Sequence, residues 1–235
     1  MLRVVWIATL TPLLVVALRL TALDSDSQTL SCADAQTAFE TQDFAVALPQ
    51  MPALLVGNQR VKHWVNTPTQ IGKTPILKRT VPGLEPRQLD ECFPRLIGHY
   101  QPEIVFLFLD TEGLLRTPTD SLLDSLKGIM RQRTLYTLRF DLTLIAPIIS
   151  PKLSPADRSR IAKLQSDLEV WSTLTLGTSY LAVDDLVAGT DGEVSPHYFW
   201  PDGNTLTSEG YEKLTDRLTS LSNKRKKEFT GIVSR

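Results

Sequence analysis

This chain of 235 residues has almost no charge imbalance: 25 Lys and Arg stand against 26 Asp and Glu, a net charge of -1. Without a global field to gather nucleic acid, such a partner would need a local basic patch. Only Lys224, Arg225, Lys226 and Lys227 form one, set among Ser, Asn and Thr in an expected solvated tail over 223–235, so nucleic acid is not an expected partner. Cysteine occurs twice, at Cys32 and Cys92. The pair is compatible with one bridge in an oxidising compartment, but Cys92 falls in an amphipathic helical pattern, where a buried free thiol is the expected fate. Repeats and low-complexity blocks are absent, which leaves one domain of roughly 200 residues plus tails. Serine is missing from the whole stretch between Ser31 and Ser121. The first half of the domain therefore offers no serine hydroxyl for nucleophilic chemistry.

One long apolar run is present, and it opens the chain. Arg3 is followed by Val4 to Leu18 without a charge, then by Arg19, Leu20-Thr21-Ala22, Asp24 and Asp26. The segment is apolar on every side, with positive charge before it and acidic charge after it, which fits an export segment and not a core helix. Residues 1–23 are read as a signal peptide or N-terminal membrane anchor. Leu20-Thr21-Ala22 is a weak cleavage site, whereas Val4 to Ala22 is long enough to span a bilayer if Arg19 snorkels. Retention is thus the expectation, on a bacterial cytoplasmic membrane with a single pass and the domain outside; secretion to the periplasm is the other outcome.

After a mixed polar lead-in over 24–50 with one short candidate helix, strand and helix signals alternate through an expected domain over 51–222. Ala53-Leu-Leu-Val56 is stopped by Gly57, and a second strand is expected at Pro75 to Arg79. Pro86 to Tyr100 has helical spacing, and Glu103 to Leu109 is a continuous apolar run typical of a strand buried on both faces. Helices over Thr119 to Leu135, Ser154 to Leu174 and Ser208 to Leu221 alternate with strands at Leu142 to Ile149 and Tyr180 to Val183. Ser154 is placed to cap its helix. The pattern predicts an α/β fold, a three-layer αβα, flavodoxin-like parallel sheet of about five strands, with ligands bound at the carboxyl ends of the strands.

The loops expected at those ends carry four blocks. Gly57-Asn58-Gln59 closes the first strand, and Trp64 lies five residues after Gln59. Lys78-Arg79-Thr80-Val81-Pro82-Gly83 follows the second, Asp110-Thr111-Glu112-Gly113 follows the buried strand, and Pro201-Asp202-Gly203-Asn204-Thr205-Leu206 leads to Gly210-Tyr211. From Ala53 to Leu221 the chain resembles the SGNH, or GDSL-type, hydrolases. Their blocks read Gly-Asp-Ser with a Trp five residues on, an Asn-Arg-Gly-x-x-Gly-like turn, Gly-Thr-Asn-Asp, and Asp-Gly-x-His-Leu before Gly-Tyr. The resemblance implies that fold. It places Gln59 at the nucleophile, Gly83 at a backbone oxyanion donor, Glu112 at an amide donor, Asp202 at the orienting acid and Thr205 at the histidine.

The family's chemistry needs Ser to attack an acyl carbonyl, His to take its proton, Asp to orient the His, and N–H donors for the oxyanion. Gln59 has no ionisable group and Thr205 no basic site. Losing a triad member leaves about 10³ to 10⁴-fold over water in triad enzymes, and Glu112 is expected to face the oxyanion with a like charge. The resemblance with a dismantled triad implies a domain that binds an envelope glycan, a lipid or an envelope protein. The alternative is an esterase, acyl-hydrolase or acyltransferase on envelope polysaccharide or lipid with rearranged catalytic groups. No metal or cofactor is expected. Candidate cleft residues are Asn58, Gln59, Trp64, Gly83, Glu112, His197, Trp200 and Asp202. His63 and His99 are read as surface residues, and Asp202 as the cap of a turn before the last helix.

Overall fold

The computed structural model describes residues 32–80 and 85–233. Its strands are β1 (Ala53–Gly57), β2 (Gln70–Ile71), β3 (Thr74–Thr80), β4 (Ile104–Phe108), β5 (Asp141–Ile145) and β6 (Thr178–Leu181). They lie in the order β2-β3-β1-β4-β5-β6. All neighbours pair parallel except β2, a short antiparallel edge strand on β3. The expected three-layer α/β architecture is present, with that edge strand added.

Successive side chains of a strand point to opposite faces, and here each face has its own apolar cluster. Leu54, Val56, Val105, Leu107, Leu142 and Leu144 join one cluster with Leu122, Leu126 and Ile129. Ala53, Leu55, Phe106, Phe108 and Ile145 join the other with Trp64, Leu214 and Leu218. The first is covered by α5 (Thr119–Leu135) and α6 (Pro155–Leu174), the second by α7 (Ser208–Val233). Ser154 caps α6 by accepting the N–H of Asp157 at 3.1 Å.

Four expectations change. The lead-in holds a 13-residue helix, α1 (Cys32–Phe44), which buries Ala35 and Phe39 and so belongs to the domain. Cys92 is not a free thiol: α1 brings Cys32 onto it, and the two form a disulfide with Cα atoms 5.2 Å apart. Pro86 to Tyr100 is not one helix but two 3₁₀ turns around a single helical turn, α3 (Phe93–Leu96). Pro94 lacks an N–H to continue the ladder, yet Leu89, Cys92, Phe93, Leu96 and Ile97 are all buried as their spacing required. Finally, α7 continues as helix to Val233, through most of the expected tail.

Asp43 fastens the end of α1. Its carboxylate accepts from Arg79 Nε at 2.9 Å, from Tyr100 OH at 3.0 Å, and from Arg95. The expected membrane segment over 1–23 lies outside the described residues; among those described, no helix is long and apolar enough to cross a membrane.

Candidate functional site

The site forms where β1, β4 and β5 end. β1 stops at Gly57, where an added Cβ would lie 2.3 Å from Val61 Cγ2. The chain then turns into α2 (Gln59–Lys62), whose first residue, Gln59, is exposed. The next residue points inward: Arg60 is only 4% exposed. Its Nε donates to the Asn204 carbonyl at 3.1 Å and its Nη1 to the Ile148 carbonyl at 2.9 Å. Thr111 Oγ1 donates to the same Ile148 carbonyl at 2.8 Å, and Tyr211 OH to the Arg60 carbonyl at 2.8 Å. One guanidinium thus joins the loops after β1 and β5 to the Asp202 loop. Burial lowers its pKa, and the charges of Asp110, Tyr211 and Asp202 oppose that shift. Its Nη2 is buried without a hydrogen-bond partner.

Asp202 works as a turn cap, as expected. Its carboxylate accepts the N–H groups of Asn204 and Thr205, each at 2.9 Å, and the Thr205 hydroxyl at 2.6 Å. Burial pushes the carboxyl up, but these three hydrogen bonds and the nearby Lys152 charge outweigh it and hold it below its ordinary value. Gly203 within the turn has φ +75°, a conformation open to glycine.

A cavity of about 460 Å³ opens beside this turn. His63, Val65 and Asn66 line it on the α2 side; Trp200, Asp202 and Thr205 line it on the other. Trp200, 59% exposed, forms one wall, and Leu206 and Tyr211 complete the lining. A second cavity of about 30 Å³ lies between Asn58, Asp110 and Pro86. It suits about one water, and Asn58 Oδ1 is buried without a partner.

The structure gathers some expected residues and separates others. Trp200, Asp202 and Thr205 share the cavity of about 460 Å³, whereas Asn58 lines that of about 30 Å³. Trp64 is no cleft wall: it is fully buried, stacked on Tyr211 at 6.1 Å, with Nε1 donating to Thr215 Oγ1 at 3.1 Å. His197 turns away to Glu209 at 2.8 Å and lines a separate depression with residues 188–196. Glu112 lines neither cavity. It lies in the first turn of α4 (Thr111–Arg116), exposed, and accepts from Arg116 one turn on at 3.0 Å, a pairing that holds it on the solvent side. Gly83 lies outside the described residues. Sequence reasoning missed Arg60 and the cleft role of His63, Val65 and Asn66; the available signal was Arg60 standing four residues before Trp64, on a face bound to be buried. Among the described residues no group of three His, Cys, Asp or Glu side chains gathers to hold a metal.

No protein-family profile and no curated protein matches the sequence. Solved structures do match. A Streptococcus pneumoniae protein named for platelet activating factor superposes with a TM-score of 0.69 at 16% identity, covering 89% of this chain and 98% of its own. A GDSL-like lipase from Bacteroides thetaiotaomicron gives 0.65 at 18% identity, over 83% and 100% of the two chains. A carbohydrate esterase family 3 structure from Talaromyces cellulolyticus gives 0.57 at 12% identity, over 76% and 99%. The fold shared with these neighbours is the one the four sequence blocks implied.

Proposed function

We propose that this chain, built on the SGNH hydrolase fold, is an exported, non-catalytic binding domain of the bacterial envelope, held at the cytoplasmic membrane with its cleft outside. Its ligand is an envelope glycan, a lipid or another envelope protein. The observation that carries the reading is the state of Asp202: the acid that would orient a histidine instead accepts from the Thr205 hydroxyl and two backbone N–H groups of its own turn. Gln59, at the position the resemblance gives the nucleophile, has no ionisable group and lines neither cavity. The cavity of about 460 Å³ is nonetheless of ligand size, with an exposed indole wall and polar groups from Asn66 and Asp202. A flat aromatic face beside hydrogen-bonding groups favours a glycan among the three ligand classes.

The test is to challenge the purified full chain with short acyl esters and, separately, with envelope glycan fragments. Expected are no turnover, and glycan binding that weakens at least tenfold in Trp200→Ala. Ester turnover abolished by Asp202→Asn would overturn the reading. A second reading, an esterase or acyltransferase with rearranged groups, draws on one observation: His63 lines the same cavity as Asp202. It requires turnover that His63→Ala abolishes.

A further inference from the structure

Two neighbouring turns at the end of the sheet opposite the cleft expose large apolar side chains. Leu135 and Tyr136, where α5 leads to β5, are 72% and 54% exposed; Leu174 and Leu176, where α6 leads to β6, are 81% and 94% exposed. The turns touch: Leu142 N–H donates to the Gly177 carbonyl at 2.9 Å, and Arg133 packs over Gly177. Between Ile129 and Asp141, three arginines, Arg131, Arg133 and Arg139, stand against the single acid Asp141. Exposed aliphatic and aromatic tips with arginines around them fit the headgroup boundary of an anionic bilayer.

The way the chain enters the domain argues for the same occupant. Cys32, at the start of α1, is bonded to Cys92; the residue after Cys92, Phe93, stacks on Tyr136 with ring centroids 5.9 Å apart. The leading segment therefore joins the domain beside this patch. Arg19 to Ser31 is thirteen residues, a reach of at most about 45 Å. If Val4 to Leu18 is held in a bilayer, that surface is presented to the patch at high effective concentration, on the order of millimolar.

We infer that the domain rests on the membrane through Leu135, Tyr136, Leu174 and Leu176. This rests on reading Val4 to Leu18 as an anchor. Because β5 and β6 run from these turns toward the other end of the sheet, docking aims the Trp200–Asp202 cleft away from the bilayer. The ligand is then a molecule of the space beyond the membrane, a glycan and not a lipid of the anchoring bilayer.

The experiment uses the full chain in nanodiscs of phosphatidylethanolamine and phosphatidylglycerol. A nitroxide is placed by Leu176→Cys, with Thr190→Cys, on an exposed loop away from the patch, as the aqueous control; both native cysteines are bridged. The expected result is a higher ratio of oxygen to nickel-chelate accessibility at 176 than at 190. Adding Leu135→Asp and Leu174→Asp should return the label at 176 to the aqueous value while the chain stays with the discs. Three results overturn the inference. A chain that stays with the discs but has an aqueous label at 176 defeats docking alone. Spin–spin broadening at 176 assigns the patch to a second copy. A chain that does not enter the discs defeats the anchor reading and docking with it.

Discussion

At the positions the resemblance gives to an amide donor and to the histidine, Glu112 and Thr205 have different neighbours, and that decides what each could do. Thr205 is bound to Asp202, the acid the resemblance makes the orienter, whereas Glu112 is bound to Arg116 on an exposed helix face. The double variant Gln59→Ser, Thr205→His should therefore give at most feeble esterase activity, and adding Glu112→Asn should leave kcat/KM for a short acyl ester within about twofold. A carboxylate facing the oxyanion would instead make the triple variant better by more than the roughly 10² to 10³ that one oxyanion donor contributes. Such a gain would show that Glu112 turns into the site. Arg60 has no counterpart in this chemistry. It ties the loops bordering the cleft, so Arg60→Met should weaken glycan binding through a loosened Asp202 loop, seen as faster amide exchange at Asn204 and Thr205; unchanged exchange would remove Arg60 from this role.

Among the elements, α1 is fastened by contacts distant in sequence. Its two fastenings are the Cys32–Cys92 disulfide and the Asp43 cluster, and each has a measurable consequence. The disulfide closes a loop of 60 residues; replacing both cysteines by serine should cost roughly 3 to 4 kcal/mol in denaturant unfolding. Asp43→Asn leaves Arg79 and Arg95 without their shared anion and should cost about 3 kcal/mol. Burial pushes the Asp43 carboxyl up, but hydrogen bonds from Arg95 and Arg79 and the Arg79 charge hold it below its ordinary value. A depressed carboxylate contributes stability that is complete above its unfolded pKa and lost as pH falls through its folded one. Wild type should therefore lose stability below about pH 4, and a pH–stability curve of Asp43→Asn parallel to wild type would contradict the assignment. These fastenings also mark the limit of what sequence could tell. The bounds of α5 and the Ser154 cap of α6 were legible because periodicity and capping act within one turn of helix. Docking of α1 was not, since a 13-residue helix with two buried apolar residues has no periodic signature. In the site, Asp202 was readable from its block, and Trp200, two residues earlier, was named with it as a cleft candidate. Trp64 and Glu112 were misplaced because sequence spacing places a residue on a loop or helix but does not say which way it turns.

For the whole molecule, the proposed export can be tested through the disulfide and the leading apolar segment together. A reporter fused after Ser27 should be active only outside the cytoplasm, and alkaline carbonate should fail to release the full chain from membranes if the segment stays as an anchor. A cytoplasmic, soluble reporter would end the export claim; export with carbonate release would leave a cleaved signal and withdraw the tether from the docking inference. The thiols give an independent readout. In an oxidising compartment Cys32 and Cys92 should resist alkylation until reduced, whereas the same chain without residues 1–23, kept in a reducing cytoplasm, should label at both. That shortened chain should also be less stable by the same 3 to 4 kcal/mol expected for the cysteine replacements, because both lack the cross-link that holds α1. Equal stability of the exported and cytoplasmic forms would show that packing of Ala35 and Phe39 and the Asp43 cluster hold α1 without the disulfide. The bridge would then be a consequence of where the domain resides and not a condition of its fold.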